Sequence, residues 1–292
     1  MATGIKRKHL STYMFLLPAV VIMGSILLYP IINGLRLSFF EWQMRNLSKS
    51  PVWIGLRNYR ELFADPFFWE SFVVTLKFSF AVVVIELLVG MILALLLEKG
   101  IKGLRFFRTT FILPIMVAPV VVGVIWRFLY NPSYGKINYF ITSMGFQSVG
   151  WLSDPNIALW SVIIADIWQW TPFVFLLLLA GLQGVPKELS EASMIDGANY
   201  FQDLIHIKIP SIESVIWITV VLRMIDSFRS LVVVFNLTYG GPGLSTEVLS
   251  LHLYKTAFIG QRLGLAAANA MVLLAIVMVL SLLLILRRDR RS

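Results

Sequence analysis

Cysteine is absent from the chain, so no disulfide can staple it and no thiolate can bind a metal or attack a substrate. Charge is scarce as well. Only 14% of the 292 residues are Asp, Glu, Lys or Arg, against about 25% in an ordinary soluble domain. Histidine occurs three times, at His9, His206 and His252, without the close spacing of a zinc site and without a Ser-His-Asp arrangement. No G-x-x-x-x-G-K-[ST] phosphate loop occurs; Gly100 to Gly103 is only a two-glycine turn beside basic residues. Heptads, low-complexity tracts and convincing internal repeats are also lacking. These absences argue against metal, thiol and nucleotide-hydrolysing chemistry in this chain. An intramembrane enzyme would need clustered His, Asp or Cys, and an ion-gradient-driven secondary transporter would be expected to show paired repeats.

What the chain has instead is apolar surface, 58% of all residues. Several apolar runs exceed the roughly 18 residues that mark a membrane span, and Leu263–Leu286 contains no charged residue at all. Spans are predicted at Tyr13–Phe39, Trp69–Leu97, Phe106–Tyr130, Ile157–Gly181, Ser211–Leu237 and Leu263–Leu286, giving an all-α integral membrane fold with about six transmembrane helices. Pro18, Pro30, Pro114, Pro119 and Pro172 fall inside them, where neighbouring helices can satisfy the freed carbonyls. Lys6, Arg7 and Lys8 precede the first apolar stretch as in a signal peptide, but Leu10–Leu37 is longer than a signal core, so it reads as a retained helix.

The net charge of +9 does not point to nucleic acid, because the basic residues sit mostly beside apolar runs. Thirteen Lys and Arg fall on one side of the predicted bilayer: Lys6, Arg7, Lys8, Lys99, Lys102, Arg105, Arg108, Lys187, Lys208, Arg287, Arg288, Arg290 and Arg291. Seven fall on the other. The positive-inside rule then places both termini in the cytoplasm, as an even number of spans requires. The expected division is an N-terminal part (1–68) with tail, first helix and first outer loop, a five-helix core (69–287) containing an inner loop (184–210), and a basic tail (288–292).

That inner loop differs from the others. Pro186 followed by Lys187-Glu188-Leu189 reads as a helix start, Gly197 as its break, and Asn199–Ile209 as a second helix with Phe201, Leu204, Ile205 and Ile209 at helical spacing. Two short helices meeting at a glycine, with Glu188, Glu191 and Asp196 beside small residues, suit either a solvated loop or a docking surface.

The loop resembles the signature of binding-protein-dependent importer permeases: Glu191-Ala192-Ser193, then Gly197, Ile207 and Ile209-Pro210. Ser193 stands for the usual second alanine and Ile209 for leucine. Gly55-Leu56-Arg57-Asn58-Tyr59, Leu113-Pro114, Trp126, Asn131-Pro132, Tyr134-Gly135, Leu237-Thr238, Gly240-Gly241-Pro242 and Thr246 are similar to the carbohydrate-uptake branch, related to the maltose permeases. Where that branch often has Phe-Asp, this chain has Leu231-Val232, so a solute contact of that aspartate does not carry over. The resemblance implies a type I ATP-binding cassette importer permease in a bacterial inner membrane, with the ATP and Mg²⁺ held elsewhere. Its implied partners are a second homologous permease, two ATPase subunits and an extracytoplasmic solute-binding protein. It also implies that Glu188, Glu191, Ala192, Ser193, Asp196 and Gly197 dock on the ATPase, and that Ile207–Pro210 passes the motion to the fifth span.

Charges within spans are costly and usually face the bundle interior. Arg223, Asp226 and Ser227 share a helical face, as do Asp166, Gln169 and Trp170. The first set suits an intrahelical ion pair or a polar solute lining; the second suits core packing or contact with a sugar, Gln169 through its amide and Trp170 by stacking. Arg36 and Arg127 lie near span ends and can snorkel.

Overall fold

The computed structural model describes residues 2–46, 50–98 and 104–289, with side chains described over 16–45, 50–98 and 109–286. Lys49, one of the seven basic residues on the second side, and Lys99, Lys102, Gly100 to Gly103, Arg290 and Arg291 lie outside the described residues, as does most of the assigned 288–292 tail.

Helix α1 (Ala2–Leu37) leads into a short hairpin of β1 (Phe40–Glu41) and β2 (Val52–Trp53), then α2 (Arg57–Ala64). The long α3 (Pro66–Glu98) follows, then α4 (Leu104–Met116), α5 (Pro119–Leu129), α6 (Lys136–Ser143) and α7 (Pro155–Gln183). After α7 come α8 (Lys187–Ile195), α9 (Tyr200–Asp203), α10 (Ile209–Ser211), α11 (Glu213–Phe228) and α12 (Val232–Leu237). Helices α13 (Leu249–Tyr254) and α14 (Leu263–Asp289) complete the chain.

Among the described residues, four helices are long and apolar enough to span a membrane: α1, α3, α7 and α14. Counting each of two bent pairs as one span brings the number to six. In the predicted third span, α4 and α5 meet at 101° rather than forming one helix over Phe106–Tyr130. Pro119 disfavours helical backbone at the residue before it, and Ala118 is extended, with ψ 137°. The predicted fifth span, Ser211–Leu237, is also divided. The chain turns by 65° at Ile212, and α11 ends at Phe228 before α12 begins. There the Ser230 carbonyl accepts from Ser250 Oγ at 3.0 Å instead of serving an uninterrupted ladder.

The chain separates into two units, and their boundary differs from the expected one. The first unit joins residues 1–65 to Leu253–Val272, a stretch assigned above to the core. Hydrogen bonds make that join: Met44 N to Gln261 O at 2.8 Å and Gly264 N to Trp42 O at 3.2 Å. Asn58, buried, donates to the carbonyls of Ser38 and Phe40 at 2.8 and 3.0 Å. Gly264 must be glycine here, because a Cβ would stand 2.0 Å from the Phe40 carbonyl oxygen. Arg262 forks onto the Glu61 carboxylate, and this hydrogen bonding holds the Glu61 carboxyl below its ordinary value of 4.5.

The second unit covers Pro66–His252 and Leu273–Ser292. Its core lies between α3 and α7, where Ala94 and Leu97 meet Val174, Phe175, Leu178 and Leu182 with Ile212 beside them. Gly90 lets the two helices approach closely: a Cβ there would lie 2.8 Å from Val174 Cγ1.

Candidate functional site

Two polar regions of the second unit hold the residues singled out in the sequence. The first is the loop between α7 and α11. Helix α8 starts after Pro186 and carries Glu188 in its first turn, near the positive end of the helix dipole. It closes in a Schellman arrangement: Ala198 N donates to Ser193 O at 2.9 Å and Gly197 N to Met194 O at 3.1 Å. Gly197 has φ +85°, and a Cβ there would meet nothing within 4 Å. The turn therefore needs glycine for its backbone angle, not for space. Asn199 and Gln202 form a capping box that starts α9. The backbone then widens into a π-helical turn over Leu204–Lys208 before α10, a feature the sequence reading did not foresee.

No residue of α8 is buried. Glu188, Glu191, Ala192 and Asp196 are exposed, and Ile195 is 87% exposed. The inner side is bonded to the rest of the loop: the Ser190 and Ser193 hydroxyls donate to the Asp203 carboxylate at 3.3 and 3.1 Å. Asp203 lies 3.9 Å from Lys208 Nζ, which in turn donates to both carboxylate oxygens of Glu98, at 2.8 and 2.9 Å. A depression of about 450 Å³ lies between Ser193, Gly197, Gln202, Asp203 and His206. Ile207 is half-buried and Pro210 exposed. Asp203 and Glu98 were not singled out in the sequence, and Lys208 entered only the charge count, since nothing local marks the three as neighbours.

The second region surrounds Arg223, which is 1% exposed. Its guanidinium forks onto Glu86 of α3, with Nε to Oε2 at 2.6 Å and Nη2 to Oε1 at 2.9 Å. Nη2 also donates to Asp166 of α7 at 2.8 Å, and Nη1 to Asp226 at 2.6 Å. The intrahelical pair expected from the Arg223–Asp226 spacing is thus present, joined by two carboxylates from other helices. The guanidinium carbon also stands 5.0 Å from the centre of the Trp170 ring. Five donors in a fixed fork allow one arginine to serve three carboxylates.

A cavity of about 100 Å³ opens beside this cluster, with Asp166, Gln169, Trp170, Asp226, Arg229 and Pro119 in its wall. Gln169, 1% exposed, donates Nε2–H to the Val117 carbonyl at the α4–α5 bend, at 3.1 Å, and its Oε1 has no partner among the described residues. Of the six residues grouped by helical face, five come together here. Ser227 does not: it is buried, and its hydroxyl donates to the Met224 carbonyl of its own helix at 2.9 Å. Glu86 and Arg229 complete the region; both are charges in apolar runs, but spacing alone could not show that Glu86 meets Arg223 or that Arg229 lines the cavity. Among the described residues no group of three or more His, Cys, Asp or Glu is arranged to hold a metal ion.

Residues 86–291 match the family described as binding-protein-dependent transport system inner membrane component. The chain is 35% identical to the probable ABC transporter permease protein YurN of Bacillus subtilis, over 96% of each chain. It is 34% identical to the trehalose/maltose transport system permease protein MalF of Thermococcus litoralis, over 92% of this chain and 90% of that one. Its fold is similar to that of a chain in the crystal structure of a bacterial ABC transporter involved in the import of the acidic polysaccharide alginate, with a TM-score of 0.84 and 24% identity over 99% of this chain and 98% of that chain. The protein therefore belongs to the binding-protein-dependent inner-membrane permeases, the membrane-spanning subunits of ABC importers.

Proposed function

We propose that this permease passes a sugar or sugar derivative, of the di- or oligosaccharide, glycoside or glycerol-phosphate type, delivered by an extracytoplasmic binding protein. Its α7–α11 loop faces the cytoplasm, as do both termini, and α8 docks on one of two separate ATPase subunits that hold the ATP and Mg²⁺. A second, homologous permease subunit completes the path. The observation that carries this reading is the form of the loop. An exposed helix with acidic, small and apolar residues outward sits on a hydrogen-bonded base that leads through a bend at Ile212 into α11. Such a helix transmits a push with little deformation, because its backbone bonds are internal.

The sugar assignment is supported by the 34% identity to a trehalose/maltose permease and by the wall beside Arg223. Trp170 offers a ring for stacking, and the part-exposed Asp226 offers an acceptor for hydroxyl groups. A cavity of about 100 Å³ is too small for a disaccharide, which suits one wall of a path shared with the second permease. Two measurements test the reading. A binding protein encoded beside this chain should bind a sugar or sugar derivative in a calorimetric assay. Uptake of that solute into vesicles should follow internal ATP and survive collapse of the ion gradients; uptake abolished by an ionophore with ATP intact would favour ion-driven transport instead.

A further inference from the structure

The path from α8 to the membrane has a mechanical weakness. The loop continues into α11 through a 65° bend at Ile212, next to exposed Pro210, which has no N–H to brace the turn. A push through a single bent joint tends to fold the joint instead of moving the helix beyond it. The structure supplies a second attachment. Lys208 is 7% exposed and forks onto Glu98, the last residue of α3, at 2.8 and 2.9 Å. Behind it stands Asp203, 3.9 Å from the same ammonium and bonded to Ser190 and Ser193 of α8. The π-helical turn over Leu204–Lys208 changes the register of the loop just where Lys208 meets Glu98, and such turns recur at functional sites. A carboxylate at the C-terminal end of α3 also opposes the helix dipole, so helix stability does not account for Glu98, whereas the paired lysine does. About 18 Å further along α3, Glu86 is forked by Arg223 of α11.

We infer that Asp203, Lys208 and Glu98 form a clamp that positions the loop on α3 as well as on α11, so that a stroke at α8 moves the two helices as one body. The inference rests on the coupling reading above. Lys208 and Glu98 are the lower rung between α3 and the α10–α11 segment; Glu86 and Arg223 are the upper one. Two rungs remove the hinge freedom that one would leave.

Because this chain has no native cysteine, two labels can be placed in it without removing any of its own residues. Spin labels at Ile205→Cys on the loop and Leu88→Cys on α3 report their separation in the assembled transporter, in lipid nanodiscs, with and without ATP and vanadate. The parent should give one narrow distance that nucleotide leaves unchanged. Lys208→Met should broaden it, or shift it with nucleotide, by about 5 Å, the rise of one helical turn. The triple variant Glu98→Lys/Lys208→Glu/Asp203→Asn, which swaps the charges without setting two carboxylates beside each other, should restore the narrow distance, which loss of a merely space-filling side chain would not explain. A parent distance that changes with nucleotide overturns the clamp, and so does Lys208→Met as narrow as the parent. If Lys208→Met fails to assemble, the charge swap decides alone, a narrow distance supporting the clamp and a broad one overturning it. Failure of the ATPase subunits to co-purify with the parent would overturn the coupling reading and the clamp together.

Discussion

The α7–α11 loop and the Arg223 cluster are both built from charged and hydroxyl side chains, but they hold them by opposite means. In the loop, most partners are close in sequence: Ser193 with Asp203, Asn199 with Gln202, Ala198 with Ser193. Its outer face is left open. In the cluster, Arg223 reaches Asp166 and Glu86 from distant helices, and all three are almost completely buried. On the exposed side of the loop, as at Asn199 and Gln202, water can replace a lost bond. In the buried charge cluster it cannot, and removing one partner strands the others in a low dielectric.

That contrast can be broken at its strong end first. Arg223→Met leaves Glu86 and Asp166 buried without a cation and should lower stability by about 3–5 kcal/mol, read as a large drop in the thermal unfolding temperature of the detergent-solubilised transporter. Adding Glu86→Gln and Asp166→Asn should recover most of the loss. A single variant that unfolds with the parent would show that the cluster is not held as an ionic network.

Gly197→Val comes next. Its φ of +85° is strained for a β-branched residue, at a cost of roughly 1–2 kcal/mol. Because the turn is exposed, the chain should still insert in normal amounts, while ATP-driven uptake falls on the order of tenfold. Normal uptake would remove the support for the loop as a lever. Ser193→Ala should be mild, on the order of 1 kcal/mol or less, since Asp203 keeps Ser190 and lies near Lys208. Near-parental uptake with a slightly lower unfolding temperature is the expected pair of readings.

The smallest effect belongs to Glu61 and Arg262, both nearly half-exposed. A carboxyl held below 4.5 in the folded chain adds stability at pH values above 4.5 and loses it as pH falls through the lowered folded value. Solvent screening limits the gain to under about 1 kcal/mol. Glu61→Gln should therefore unfold slightly earlier than the parent at pH 7, and the gap should close once the pH is well below 4.5.

The features legible in the sequence were those governed by short-range rules. Long apolar runs announce spans, because the bilayer core demands a minimum length of apolar helix. Pro186 and Gly197 mark the ends of α8, because proline and glycine act on their own backbone. The same rules left the breaks unread. Pro119 was noted but taken as tolerated within a span, and the gap between α11 and α12 depends on Ser250, a residue distant in the chain. Ser227 shows the limit of face-by-face reading. Its spacing places it with Arg223, yet its hydroxyl is satisfied by its own helix.

The sequence by itself determined the membrane character, the six apolar segments and the position and capping of the inner loop, since each depends on residues within a turn or a span of one another. Tertiary structure alone decided that Arg223 would serve three carboxylates, that Lys208 would meet Glu98, and that Leu253–Val272 would join the first unit. The physical reason is range. Helix ends and apolar length are set by local backbone chemistry, whereas a buried charge takes whichever partner the packing of separate helices brings within about 3 Å.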